Sequence, residues 1–285
     1  MFSLNFKNRY LIQFITLAIS VLLTNCSSDD APPVPTGQSK QYDITNTDIS
    51  DITGQVNFIE NTNGSTTISI NLVNTVNGIN NVVRLRRKTA NIGGGIFLNL
   101  NNINGEDGIS ITTVSKLDDG TPVSYEQFTE LDGYLAIGST GNDEDTLFAF
   151  SDLGPNELTG EKINYNLFSS DGAINGFAQF EERKKGTASL LVGIFDIEEV
   201  SELKCFLHVT SEDSTEEFIQ ELAPITIEED FKGFGLNELT HINEELISYE
   251  DILQLNASIK ISDATDATLF ISQGGIGTDP NASTN

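Results

Sequence analysis

Along most of the chain, apolar residues recur at every second position. STTISINL places Thr66, Ile68, Ile70 and Leu72 on one alternate set and mostly Ser, Thr and Asn on the other. That period of two is the signature of a strand buried on one face. IFLNL at 96–100 and ISITTV at 109–114 repeat it, and NTNG at 61–64, NING at 102–105 and DDGTP at 118–122 supply the turns between strands. Only SYEQF at 124–128 and its echo SYEDILQL at 248–255 read as helical turns, with Ser124 and Ser248 placed to cap them. Short strands punctuated in this way predict an all-β chain built as antiparallel sandwiches.

The first residues break the alternation. Lys7 and Arg9 precede the largely apolar run LIQFITLAISVLL from Leu11 to Leu23. Thirteen residues rise only about 20 Å as a helix, short of the roughly 30 Å of a bilayer core, so residues 1–25 read as a signal peptide. The run ends in LLTNC, which resembles a bacterial lipoprotein signal, making Cys26 the expected lipid anchor. The following CSSDD resembles the acidic export tag of Bacteroidetes-type lipoproteins. Together they imply an outer-membrane, surface-exposed protein. Residues 26–41, with Pro32, Pro33 and Pro35, read as an extended tether.

Self-comparison finds a repeat in the remainder. ITGQVNF at 52–58 answers INGFAQF at 174–180, Gly64 answers Gly186, SYEQF answers SYEDI, and the LF pair at 147–148 answers the pair at 269–270. The spacing predicts two tandem β-sandwich domains, 42–164 and 165–277, followed by a polar tail at 278–285. The first repeat runs through an NGSTT turn, GGGI, NGEDGIS, LDDGTPVSYE and LDGYL into DLGPNELTG. In that order it resembles the bacterial branch of the chordin-type (CHRD) domain. The resemblance is weaker over the second repeat, where GGGI has become EEFI and DGYL has become NASI. It implies immunoglobulin-like sandwiches in secreted or surface proteins, with no established reaction.

The family's most chemical feature is an H-x-H strand with a further His after the DGY motif, a set suited to copper or zinc. Here Arg84 and Arg86 stand at the pair and Gly138 at the later position; in the second repeat Phe206, His208 and Ser262 take those places. His208 alone makes no metal site, so a metal-binding or redox role is the disfavoured alternative.

Composition narrows the function further. A formal charge of −27 excludes nucleic acid, which is held by clustered Lys and Arg. With two His and no Trp, a three-histidine centre is impossible, and no nucleophile elbow, HExxH or Walker loop is present. No cofactor and no enzymatic activity are expected. The expected role is a binding or structural module for a protein or polysaccharide. Arg84, Arg86, Arg87 and Lys88 form the candidate contact for an anionic partner, or else a charged edge strand that blocks aggregation. RKK at 183–185 reads as solvated, Cys205 as a small buried hydrophobe, and His241 and the acidic runs at 142–145 and 228–230 as surface.

Overall fold

The computed structural model describes residues 32–47, 49–139, 146–195, 197, 203–210, 217–222, 225–227, 233–238, 247–264, 270–279 and 281–284. The export signal, Cys26, both acidic runs and His241 lie outside the described residues. Among those described, no helix is long and apolar enough to cross a membrane.

The fold is all-β, in two curled antiparallel sheets of nine strands, each wrapped around its own core. The first contains β1 (Pro35–Asn46), β2 (Thr53–Asn61), β3 (Thr66–Val73), β4 (Asn80–Arg87), β5 (Ile96–Asn99), β6 (Ile103–Asn104), β7 (Ile109–Val114), β8 (Gly133–Gly138) and β9 (Leu147–Leu153). Its order is β5-β4-β8-β9-β1-β2-β3-β7, with β6 also on β4. The second contains β10 (Leu158–Phe168), β11 (Ile174–Arg183), β12 (Ala188–Ile194), β13 (Leu203–Thr210), β14 (Glu217–Glu221), β15 (Thr226–Ile227), β16 (Gly233–Glu238), β17 (Asn256–Asp263) and β18 (Phe270–Gly277). Its order, β14-β13-β17-β18-β10-β11-β12-β16-β15, retraces the first over eight strands; the ninth differs, β6 lying on β4 and β15 on β16. The duplication read from the sequence is therefore a duplication of topology.

Alternation decides which side of each strand is buried. In β3, Thr66, Ile68, Ile70 and Leu72 face the core while the intervening residues are half-buried or exposed. Phe58 and Phe180 occupy equivalent central positions, each edge-on to a tyrosine, Tyr42 and Tyr165 respectively. Two short helices, α1 (Tyr125–Thr129) and α2 (Tyr249–Gln254), insert Phe128 and Ile252 into the cores. Ser124 closes a full capping box with Gln127, and Ser248 caps α2 by accepting from the Asp251 amide.

Three expected boundaries move. β1 begins at Pro35, so the segment expected as tether through residue 41 already belongs to the sheet. Its entry is a Thr-Gly kink in which Gly37 takes φ 100° and the Thr36 hydroxyl donates to Glu60 at 2.6 Å. Thr159 and Gly160 (φ 89°) repeat that kink, with Thr159 donating to Glu182 at 2.9 Å. Prolines near the start suggested a linker, yet Pro32 and Pro33 precede the strand and Pro35 is its first residue, where proline is tolerated. The second sheet starts at Leu158 rather than 165, because β10 is one unbroken strand. The tail expected at 278–285 is not free either: the Asn166 amide donates to the Ser283 carbonyl at 2.7 Å, and Tyr165 bridges to Thr284.

Between the sheets lies a 3-10 turn, Gly154–Asn156, onto which the β11–β12 hairpin docks. Arg183 is 2% exposed and donates through Nη1 to Asp152 Oδ2 and to the Asn156 carbonyl, both at 2.6 Å. The expectation that RKK is solvated fails at this residue. The hairpin amides of Lys184 and Lys185 donate to the carbonyls of Glu157 and Pro155, and Asn91 reaches Ser189 at 3.1 Å. Glu157 receives Lys184 at 2.6 Å and Lys40 of β1 at 3.3 Å.

Candidate functional site

The four cations of the RLRRK run do not act as one cluster. β4 lies between β5 and β8, so the charged-edge explanation does not hold. The returning segment IFLN covers the side that the basic run was expected to protect. Strand alternation puts Arg84 and Arg86 on the outer face, above the buried ring of Tyr134. Arg87 turns to the other face and stacks its guanidinium 5.5 Å from the Phe97 ring. Lys88 leaves the strand at φ 66°, and its backbone is what the fold uses: N–H to the Asp132 carbonyl, C=O from Asn156 Nδ2 at 3.1 Å. Arg84 and Arg86 line a narrow cleft of about 50 Å³, and neither is without a partner inside the chain. It is already engaged and has room for one or two waters rather than a sugar.

The same cleft answers the metal question raised by the family pattern. Gly138 lines it beside the two arginines. A Cβ there would meet the Thr146 carbonyl oxygen at 2.3 Å, so a longer side chain at this position requires a backbone shift. Two guanidiniums and a glycine do not fit a cation. In the second domain Lys260 Nζ lies 3.3 Å from His208 Nδ1, which sets an ammonium where a second ligand would be needed. Cys205 is fully buried in β13, and burial pushes its thiol up to about 12, far from a nucleophile's range.

The larger concavity was not foreseen. It opens at one end of the first sandwich, between the β1–β2 loop and the β3–β4 loop, with a volume of about 540 Å³. That is within the usual range for small-ligand sites, about 300–1,000 Å³. Ile49, Val76 and Ile79 form its apolar rim at 62%, 60% and 47% exposure, and Phe148 lines its inner side. Large aliphatic side chains held in water at one concave place make this the candidate contact surface.

Both loops are tied down. Asn46 Nδ2 donates to the Ser50 carbonyl at 2.9 Å, the Ile52 amide to Ser50 Oγ at 3.1 Å, and Asn74 Nδ2 to the Asp51 carbonyl at 3.0 Å. Thr75 Oγ1 donates to the Gly105 carbonyl, and Gly105 lies so close that its Cβ would strike the Val76 carbonyl oxygen at 2.0 Å. The rim is thus set before any ligand arrives. Its members come from IS at 49–50 and VNGI at 76–79, segments that in sequence are only turns carrying single aliphatic residues. An aliphatic residue beside Asn-Gly in a loop was the one signal available.

No known protein-family model matches this chain, and no curated protein resembles it significantly.

Proposed function

We propose that the chain is a non-enzymatic, lipid-anchored surface protein of CHRD-like type, in which the first sandwich captures a partner at its loop end. The carrying observation is the 540 Å³ concavity with its preset aliphatic rim. The locked junction at Arg183 supports the reading, since it holds the second sandwich as a rigid base instead of a separately swinging module. Acylation at Cys26 would tether that base to the membrane, where two or more acyl chains hold firmly.

Two measurements test this. Cys26→Ser should move the protein from the detergent phase to the aqueous phase, and retention in the detergent phase would defeat the anchor. On intact cells, protease should reach the displayed chain, and Val76→Asp should abolish partner capture without changing display. Undiminished capture by Val76→Asp would move the contact elsewhere. Stoichiometric copper or zinc in the purified protein would favour the alternative metal-binding reading over this one.

A further inference from the structure

The end pocket contains a group that the fold leaves unused. Asn81 sits on the core-facing side of β4, is 1% exposed, and lines the cavity. Among the described residues, neither its Nδ2 nor its Oδ1 finds a hydrogen-bond partner. An unmatched buried amide is costly, and native proteins keep few of them. The chain's own second copy shows that the fold does not require it. Asn81, Val83 and Leu85 correspond to Leu203, Cys205 and Leu207, so a fully buried leucine occupies the equivalent place in the second domain. The polar residue is confined to the copy that has the preset apolar rim.

A carboxamide presents one donor side and one acceptor, and its best complement is another amide. Among the described residues, Asp51 is the only ionisable one lining the cavity, and it disfavours an acidic occupant. The remaining walls are aliphatic or aromatic. Building on the reading that this cavity is the contact site, we propose that it takes an apolar peptide segment, whose side chain fills the space among Ile49, Val76, Ile79 and Phe148 while its backbone amide pairs with Asn81. The amide is sealed from bulk water, so the peptide reaches it by turning aside the rim side chains while the loop backbones that carry them stay fixed, and the match is made in a dry site where it counts most. A sugar ring would meet one aromatic residue and an aliphatic rim, with few partners for its hydroxyls.

The test uses the full-length protein with isotope-labelled Ile and Val methyls and three small probes. These are N-acetyl-leucine N-methylamide, the matching ester with oxygen in place of both amide nitrogens, and N-acetylglucosamine. The blocked leucine should shift the methyls of Ile49, Val76 and Ile79 and bind at least tenfold more tightly than the ester, about one 1.4 kcal/mol step. In Asn81→Leu that preference should vanish while the protein unfolds at higher urea than wild type. Val76→Asp, altered at an exposed loop position, should lose both leucine probes and keep its unfolding midpoint.

Equal binding of amide and ester would leave the pocket as a contact site and overturn the role of Asn81. Tighter binding of N-acetylglucosamine would replace the peptide by an amino sugar. Unmoved methyls with all probes would defeat the contact site itself. Lower urea stability of Asn81→Leu would show the amide to be part of the fold.

Discussion

The hairpins β2–β3 and β11–β12 share a backbone and differ in what they do. Thr62 donates to the Val34 carbonyl at 2.8 Å, and Lys184 donates to the Glu157 carbonyl at the same distance. Gly64 and Gly186 close the two turns at φ 79° and 82°. At the residue that begins each turn, however, Asn61 folds back on its own hairpin, donating to Ser65 Oγ and Thr67 Oγ1, while Arg183 leaves its sheet to reach Asp152. One copy of a duplicated turn has become the latch between the copies. The change needed a long cation and a receiving carboxylate, and Asp152 was available because its other oxygen is already fixed by the Ala90 amide at 2.9 Å. Duplication supplies the frame, and divergence at single positions assigns the roles.

Breaking the cores tests how equal the two copies are, and gives the largest effect. Phe58 contacts both Tyr42 and Phe128, whereas Phe180 faces Tyr165, and the helix of its domain brings the aliphatic Ile252 to the same core in place of a second ring. Phe58→Ala should cost about 3–5 kcal/mol by urea denaturation. Phe180→Ala should cost less by about one aromatic pair, roughly 0.5–1.5 kcal/mol. Equal losses would mean that the second aromatic contact adds nothing beyond buried area.

The latch comes next. Removing one partner of a buried ion pair leaves an uncompensated charge, at about 3–5 kcal/mol. Asp152→Ala takes from Arg183 its carboxylate while the Asn156 carbonyl stays, so the cost should lie at or below the low end of that range, while Asn61→Ala loses neutral hydrogen bonds worth about 1 kcal/mol each. Because the latch joins the sheets, Asp152→Ala should also split a single unfolding transition into two in calorimetry. A single transition retained in that variant would show that the turn at Gly154–Asn156 suffices to couple them.

Smaller still are the helix caps. Ser124→Ala should cost about 1 kcal/mol, within the 0.5–2 kcal/mol usual for an N-cap. Ser248→Ala should cost slightly less, because α2 lacks the reciprocal side-chain bond that Gln127 makes in α1. Urea midpoints of the two variants, measured side by side, check the order.

What the sequence disclosed follows from which interactions are periodic. The strands, the duplication and both caps were legible because alternation, spacing and a serine ahead of Tyr-Glu are local patterns. The start of β1 was not: prolines at 32, 33 and 35 resemble a linker, and only the Thr-Gly kink shared with 159–160 identifies a sheet entry. Arg183 was misread because a cation before a turn glycine looks the same whether it meets water or a carboxylate from the other sheet. Of the four basic residues at 84–88, alternation correctly paired Arg84 with Arg86. Nothing local could tell that IFLN would return beside them and make β4 an interior strand. The end pocket depends on two loops and one inward Asn brought together by the curl of the sheet, a juxtaposition with no spacing signature.

The mildest substitution makes the second domain resemble the first at one core position. Cys205 corresponds to Val83, and both are fully buried, so Cys205→Val should cost under about 1.5 kcal/mol at pH 7. Its effect should instead appear with pH. Burial favours the neutral thiol and raises the folded value to about 12, whereas the unfolded thiol titrates near its ordinary value of about 8.5. Between those values the unfolded chain gives up a proton that the folded chain keeps. The thiol's contribution is therefore fully present below about 8.5 and is lost as pH rises toward about 12. Tyr42, whose phenol is also pushed up to about 12 by burial, adds a loss of the same sign that begins at higher pH. Urea midpoints at pH 7 and pH 10 should fall less in Cys205→Val than in wild type, the difference isolating the thiol; identical slopes would mean that Cys205 reaches solvent before the sheet opens.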